Sequence, residues 1–138
     1  MEEETVEVLY NTHYGGFGVS EKAEELYRKY KKEKDPQTEF DPFEFSFIGR
    51  TNPIWIRIFH ELGNEFNGPY CNAAIAIIPK KYKHHYIIDE YDGKERIEID
   101  HLGYGLSQIK TILHSEETND EKIRQLKLLK ILSYIEAL

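Results

Sequence analysis

The sequence predicts an α+β domain: a small, mostly antiparallel sheet packed with helices and extended by a C-terminal helical segment. Three observations lead there. The alternating run Val6-Glu7-Val8-Leu9-Tyr10 reads as an opening strand, and two further alternating runs joined by Asp92-Gly93 carry the hairpin signature. Apolar residues recur at helical spacing after Ser20, after Pro53 and from residue 104 onward. The 138 residues make one domain, with an α+β core over 6–99 and helices over 104–138.

Taken in order, the first strand runs into Tyr10-Asn11-Thr12-His13-Tyr14-Gly15-Gly16-Phe17-Gly18-Val19-Ser20. Three glycines within four residues allow φ > 0 and close backbone approach, so Tyr14 and Phe17 are either surface rings held for recognition or core rings on a tight turn. Ser20 suits an N-cap, Ala23, Leu26, Tyr27 and Tyr30 share a helical face, and acids precede bases along the axis. Asp35-Pro36 ends that helix. The stretch 35–49, with phenylalanines at 40, 43, 45 and 47, reads as a loop or irregular strand packed by its rings. Asn52-Pro53 announces a largely buried helix through Ile54, Trp55, Ile58, Phe59, Leu62 and Phe66, stopped by Asn67-Gly68-Pro69.

Residues 73–78, Ala-Ala-Ile-Ala-Ile-Ile, read as a central strand apolar on both faces, and the hairpin follows at 86–91 and 94–99. Leu106, Ile109, Ile112 and Leu113 mark a short amphipathic helix. Thr118 with Glu121 forms a capping-box pattern, and Ile123, Leu126, Leu129, Ile131, Leu132 and Ile135 line a long terminal helix suited to protein docking.

Composition narrows the function. A net charge of −7, with 25 acids against 18 bases, argues against broad DNA or RNA coating. Bases nevertheless cluster with aromatics at Arg28, Lys29, Lys31 and Lys32 and at Lys80, Lys81, Lys83, His84 and His85, which makes these the candidate RNA contacts on a polarised surface. One cysteine, Cys71, fits a reducing compartment. The acidic start and the absence of a long apolar run predict a cytoplasmic protein without membrane attachment.

Chemistry has no clear carrier. His60-Glu61-Leu62-Gly63-Asn64 opens like a zinc-protease motif but has Asn64 where the second histidine belongs. His84 and His85, taken as strand neighbours, would point to opposite faces, and Cys71 has no activating neighbour. Glu61, Glu65, Glu90 and Asp92 have no sequence pattern that assembles them. The sequence therefore predicts a non-enzymatic protein with no metal or cofactor. A competing arrangement is a nucleotide pocket built from Tyr14, Gly15, Gly16, Phe17, Gly18 and Ser20 of the loop, Arg50, Thr51 and Asn52 at the helix start, and Glu90, Tyr91 and Asp92 at the hairpin turn. There Arg50 pairs a phosphate and the rings stack a base.

The series Asn11-Thr12-x-Tyr14-Gly15-Gly16-Phe17-Gly18-x-Ser20, Arg50-Thr51-Asn52-Pro53, Glu61-Leu62-Gly63, Asn67-Gly68, Ile78-Pro79 and Glu90-Tyr91-Asp92-Gly93 resembles a family of small proteins from protists, giant viruses and phages. The resemblance spans residues 6–99. Asn52 stands where an acid is more usual, and the C-terminal helices look like an addition to the shorter viral and phage forms. Within the group this lysine-, isoleucine- and tyrosine-rich chain is similar to microsporidian dormancy proteins. That implies a hibernation factor on the small ribosomal subunit, near the exit-site and peptidyl-site tRNA positions, contacting rRNA and ribosomal proteins and excluding tRNA and messenger. Tyr14 and Phe17 would stack on unpaired bases, and the acidic stretch 89–100 would meet basic ribosomal proteins.

Overall fold

The computed structural model describes residues 3–41 and 43–129. The order of elements is β1 (Thr5–Asn11), α1 (Glu21–Lys34), α2 (Pro53–Leu62), β2 (Ala73–Pro79), β3 (Tyr86–Tyr91), β4 (Lys94–Ile99), α3 (His101–Leu113) and α4 (Asn119–Leu128), with 3₁₀ turns at Gly63–Phe66 and Lys80–Tyr82. This is the expected α+β fold, with the strands arranged as two antiparallel pairs, β1 with β2 and β3 with β4. The chain divides into two compact units, one ending at Ile99 and the next beginning at Asp100. Among the described residues no helix is long and apolar enough to cross a membrane.

Local chemistry explains the helix limits. Ser20 Oγ accepts from the Ala23 N–H at 3.2 Å, Glu21 and Glu24 occupy the first turn of α1, and Lys31, Lys32 and Lys34 occupy the last, all complementing the helix dipole. Asn52 Oδ1 accepts from the Ile54 N–H at 2.9 Å, with Pro53 at the first helical position. α2 ends at Leu62, short of the expected Phe66, because Gly63 takes φ +55° as its cap and the chain tightens into a 3₁₀ turn. Of α2 itself only Trp55 and Ile58 are fully buried, so it is amphipathic where a largely buried helix was expected.

In the first unit, β1 and β2 pair from Thr5 opposite Pro79 to Asn11 opposite Ala73. One face carries Leu9, Ala73 and Ile75 onto a core of Ala23, Tyr27, Ile48, Trp55, Ile58 and Phe66. Aromatic contacts dominate it. Tyr27 stacks on Trp55 at 4.2 Å, Phe45 meets both edge-on, and Phe66 lies edge-to-face with Phe17, Trp55 and Phe59. Each such pair is worth about 0.5–1.5 kcal/mol beyond simple burial. Phe43 and Phe47, expected as core filling, are instead exposed. Residues 43–47 contain no regular structure that would turn all four rings inward.

β2 is an edge strand, not the central one its apolar run suggested. The Thr12 N–H bonds to Asn72 O and the Lys80 N–H to Glu4 O, so Ala74, Ala76 and Ile78 face β1 while Ile75 and Ile77 present their backbone outward. The outward Ala73 N–H is taken by Asn67 Oδ1 at 2.7 Å, and Pro79 has none. Apolarity on both faces reports covered faces, which is a separate matter from paired edges. Val8 and Ile78 are buried on the second face although the edge stays open.

The β3–β4 hairpin pairs from Tyr86 opposite Ile99 to Tyr91 opposite Lys94. Asp92 at φ +51° and Gly93 at φ +87° supply the two left-handed residues that a tight hairpin turn uses. His84 and His85 lie in the turn before β3, outside any strand, and the His85 N–H closes that turn on Tyr82 O. In the second unit Asp100 Oδ1 caps α3 through the Gly103 N–H at 2.9 Å, and Thr118 Oγ1 caps α4 through the Glu121 N–H at 3.2 Å. The capping box is half made, because the Glu121 carboxylate turns to Arg124 and Gln125. Ile131, Leu132 and Ile135, which extend the expected terminal helix, lie outside the described residues.

A Cβ at Gly93 would overlap the backbone of Gly15 and Gly16, on top of the strain of its positive φ, whereas one at Gly18 would meet nothing within 4 Å. Gly93→Ala is therefore expected to destabilise the fold by more than about 1 kcal/mol and Gly18→Ala by less than about 0.5 kcal/mol, read from urea denaturation midpoints.

Candidate functional site

The glycine loop is built around Asn11. Its side chain is fully buried, and all its hydrogen-bonding capacity is engaged: Nδ2 donates to His13 O at 2.7 Å and Gly93 O at 2.8 Å, while Oδ1 accepts from His13 N and Asn72 N at 3.2 and 2.9 Å. The Gly15 N–H donates to Asp92 O at 3.0 Å. An added Cβ at Gly15 would lie 2.5 Å from that of Tyr70, and one at Gly68 would lie 3.0 Å from the backbone of Gly18 and Val19. The loop thus uses its glycines to let other parts of the same chain approach. A buried turn and a surface ring coexist here: Phe17 packs inward on Phe66, whereas Tyr14 is half exposed.

Beside it lies an ion pair that sequence reasoning did not assemble. Arg50 Nη1 and Nη2 grip Glu95 Oε1 and Oε2 at 2.6 and 2.8 Å, with the Glu95 side chain buried and that of Arg50 largely so. Glu95 Oε1 also accepts the Asn11 N–H at 2.8 Å. Arg50 O accepts the Leu9 N–H at 2.8 Å, its Nη1 reaches Leu9 O at 3.3 Å, and its guanidinium lies 3.8 Å from the centre of the Phe17 ring. Arg50 and Glu95 thereby occupy the edge of β1 where a third strand would sit.

Residues of the three-part nucleotide pocket are divided between two cavities. Phe17, Gly18 and Arg50 line a cavity of about 300 Å³ with Val19, Glu24 and Phe45, but the charge of Arg50 is already matched by Glu95. Pairing it with a phosphate means breaking a buried, bidentate contact. Thr51 and Asn52 open onto a different cleft. Glu90 is spent on the hairpin, accepting the Gly93 N–H at 3.1 Å, and Ser20 on its cap and on Glu65 O. Glu61 and Glu65 also stay apart from any common site. Glu61 receives Tyr30 and Arg57, with the Tyr30 hydrogen bond foremost in holding its carboxyl below the usual range, and Glu65 is held low by Lys22. His60 Nε2 lies 2.9 Å from Glu7. Burial pushes the Cys71 thiol up from its ordinary value, so it is a poor nucleophile.

The second cleft, of about 690 Å³, is lined by Tyr27, Lys31 and Lys34 of α1, by Thr51, Asn52, Pro53 and Ile54 at the start of α2, and by Lys83. It brings the two basic runs of the sequence to one place. Lys31 is paired with Glu44 at 2.7 Å, which raises its pKa. Lys34 and Lys83 have no ion-pair partner among the described residues. Lys34 was missed because it lies two residues past the run, yet Tyr27, Lys31 and Lys34 follow the i, i+4, i+7 spacing of one helix face.

The other candidate bases go elsewhere. Arg28 lies over Phe45 at 4.7 Å, Lys32 is 5.9 Å from the Phe40 ring, and Lys29 is turned about 200° around α1 from Lys31. Lys80 bonds to Glu4 at 3.1 Å, Lys81 lies over Tyr82, and His84 is exposed in its turn.

Around the hairpin turn three tyrosines stand out from the surface: Tyr14, Tyr70 and Tyr91, at 49%, 79% and 78% exposure. Tyr70 is the unusual one. Residues 68–71 form a β-turn closed by the Cys71 N–H on Gly68 O at 3.2 Å, with Pro69 leading and Tyr70 at φ +65° in the position that normally takes glycine. The left-handed conformation costs a side-chain-bearing residue about 1–2 kcal/mol.

Two stability changes follow. Glu95→Ala strands the Arg50 cation and is expected to cost about 3–5 kcal/mol in urea denaturation, with Glu95→Gln costing less because its amide oxygen still accepts from Asn11. If both variants match the wild type, the pair has no structural weight. Tyr70→Gly relieves the turn and is expected to gain about 0.5–1 kcal/mol after the entropy of glycine is set against it, seen as a higher thermal midpoint.

Compared with known proteins, the chain matches no protein-family model, no curated protein and no solved structure.

Proposed function

We propose that the protein is a non-enzymatic dormancy factor of the cytoplasm that binds the small subunit of the idle ribosome near the exit-site and peptidyl-site tRNA positions and blocks tRNA and messenger. The observation that carries the RNA part is the lysine cleft. Two basic segments about fifty residues apart in sequence share one concavity, three lysines against Asp35, on a chain whose overall charge is −7. Concentrating cations locally while the remaining surface is acidic favours one orientation on a polyanion over diffuse coating. The ribosomal location itself comes from the resemblance of the glycine-loop series. The nucleotide reading loses support because Arg50 is held by Glu95.

The test is sedimentation of the protein with small ribosomal subunits from starved cells through sucrose at low and high salt. Co-migration that weakens as salt rises is expected. Lys34→Glu with Lys83→Glu should reduce binding at least about tenfold at low salt and flatten its salt dependence by about 0.7–0.9 per lost phosphate contact. Protein that remains entirely at the top of the gradient at low salt rules the reading out.

A further inference from the structure

The tyrosines around the hairpin turn remain outside the lysine cleft, and their surroundings have a different chemistry. Lys94 extends its ammonium to 5.5 Å from the centre of the Tyr14 ring. A ring of this surface therefore already accepts a cation on its face. Tyr91 pairs with Lys94 across the hairpin, and Tyr70 packs its Cβ against Gly15, whose N–H bonds to Asp92 O. The three tyrosines thus belong to segments that meet at one backbone junction. Those of Tyr70 and Tyr91 have no ring or cation partner among the described residues.

The charge around them is acidic. Asp89, Glu90, Asp92 and Glu98 are exposed, against Lys94 and Arg96, and Arg96 is shared between Asp89 and Glu98. Phosphate is disfavoured beside such carboxylates, whereas guanidinium and ammonium groups are favoured both by them and by the ring faces. The strain at Tyr70 adds a second argument. Its turn would be more stable with glycine, yet the position carries a ring that is left 79% exposed.

We infer that Tyr14, Tyr70 and Tyr91, with Asp92 beside them, form a docking surface for an extended arginine- or lysine-rich peptide. Its side-chain cations sit on Tyr70 and Tyr91 as Lys94 sits on Tyr14. Basic tails of ribosomal proteins have this chemistry. That biological identity rests on the ribosome reading, while the affinity for basic peptide does not.

The experiment uses the full-length protein and a fluorescein-labelled peptide of about twelve residues alternating arginine and glycine, followed by anisotropy. A matched peptide with citrulline for arginine and a labelled oligouridylate serve as comparison probes. Saturable binding of the arginine peptide over both comparison probes is expected. Tyr70→Gly combined with Tyr91→Ala, which leaves the charge unchanged, should weaken it at least about tenfold while the thermal midpoint does not fall. Asp92→Asn should weaken it about threefold.

Absence of arginine-peptide binding, equal binding by the tyrosine variant, or oligouridylate binding lost in the tyrosine variant overturns the inference. Lys34→Glu with Lys83→Glu separates the two sites. Those changes should leave peptide binding intact, so failure in the ribosome gradient and failure here are independent outcomes.

Discussion

The first unit depends on how β1 completes its hydrogen bonding. Among the described residues only β2 pairs with it as a strand, and on its other edge Leu9 and Asn11 are met by the backbone and guanidinium of Arg50 and by the carboxylate of Glu95. A buried ion pair of this kind contributes little net stability, because desolvation offsets most of the attraction. Its effect is on arrangement. Glu95 fixes the hairpin against the end of β1, Arg50 fixes the connection into α2 against its middle, and Asn11 fixes the glycine loop and Gly93 to the same point. Three segments far apart in sequence are placed by groups that tolerate few alternative partners.

How much of this could be read from the sequence follows from the range of the interactions. The order of elements, the Ser20 and Asn52 caps and the Asp92-Gly93 turn are local and were legible. The Arg50–Glu95 pair joins residues forty-five positions apart, and no short motif announces it. A signal did exist. Glu95 shares a hairpin face with Ile97 and Ile99, so it is a carboxylate in the apolar register, and Arg50 is the only base between Lys34 and Arg57. A charge on the inward face of a strand calls for a buried counter-charge, and the chain offers few.

The glycine series is legible only in part. Its glycines do serve close approach, but the approaching groups are Tyr70 and the hairpin backbone, and a ligand was one of two readings equally compatible with the composition. The phenylalanine loop misled in the same way, since hydrophobic content says nothing about which rings a non-repeating backbone turns outward. Two surfaces of the first unit differ in their chemistry. Lysines gather in one cleft on an acidic protein, and tyrosines gather beside carboxylates at the hairpin turn. The proposed function and the proposed peptide site rest on these two surfaces separately.

The free edge of β2 has a consequence for behaviour at high concentration. An open strand rich in isoleucine and alanine is the usual seed for strand-by-strand growth between copies. Here the edge offers outward N–H groups only at Ile75 and Ile77. Asn67 occupies the donor at one end, and Pro79 removes it at the other. An incoming strand therefore finds donors only in the middle of the edge, with carbonyl acceptors alone at its two ends. The edge is thus shortened rather than sealed, and the residues that shorten it are Asn67 and Pro79, which act at its two ends.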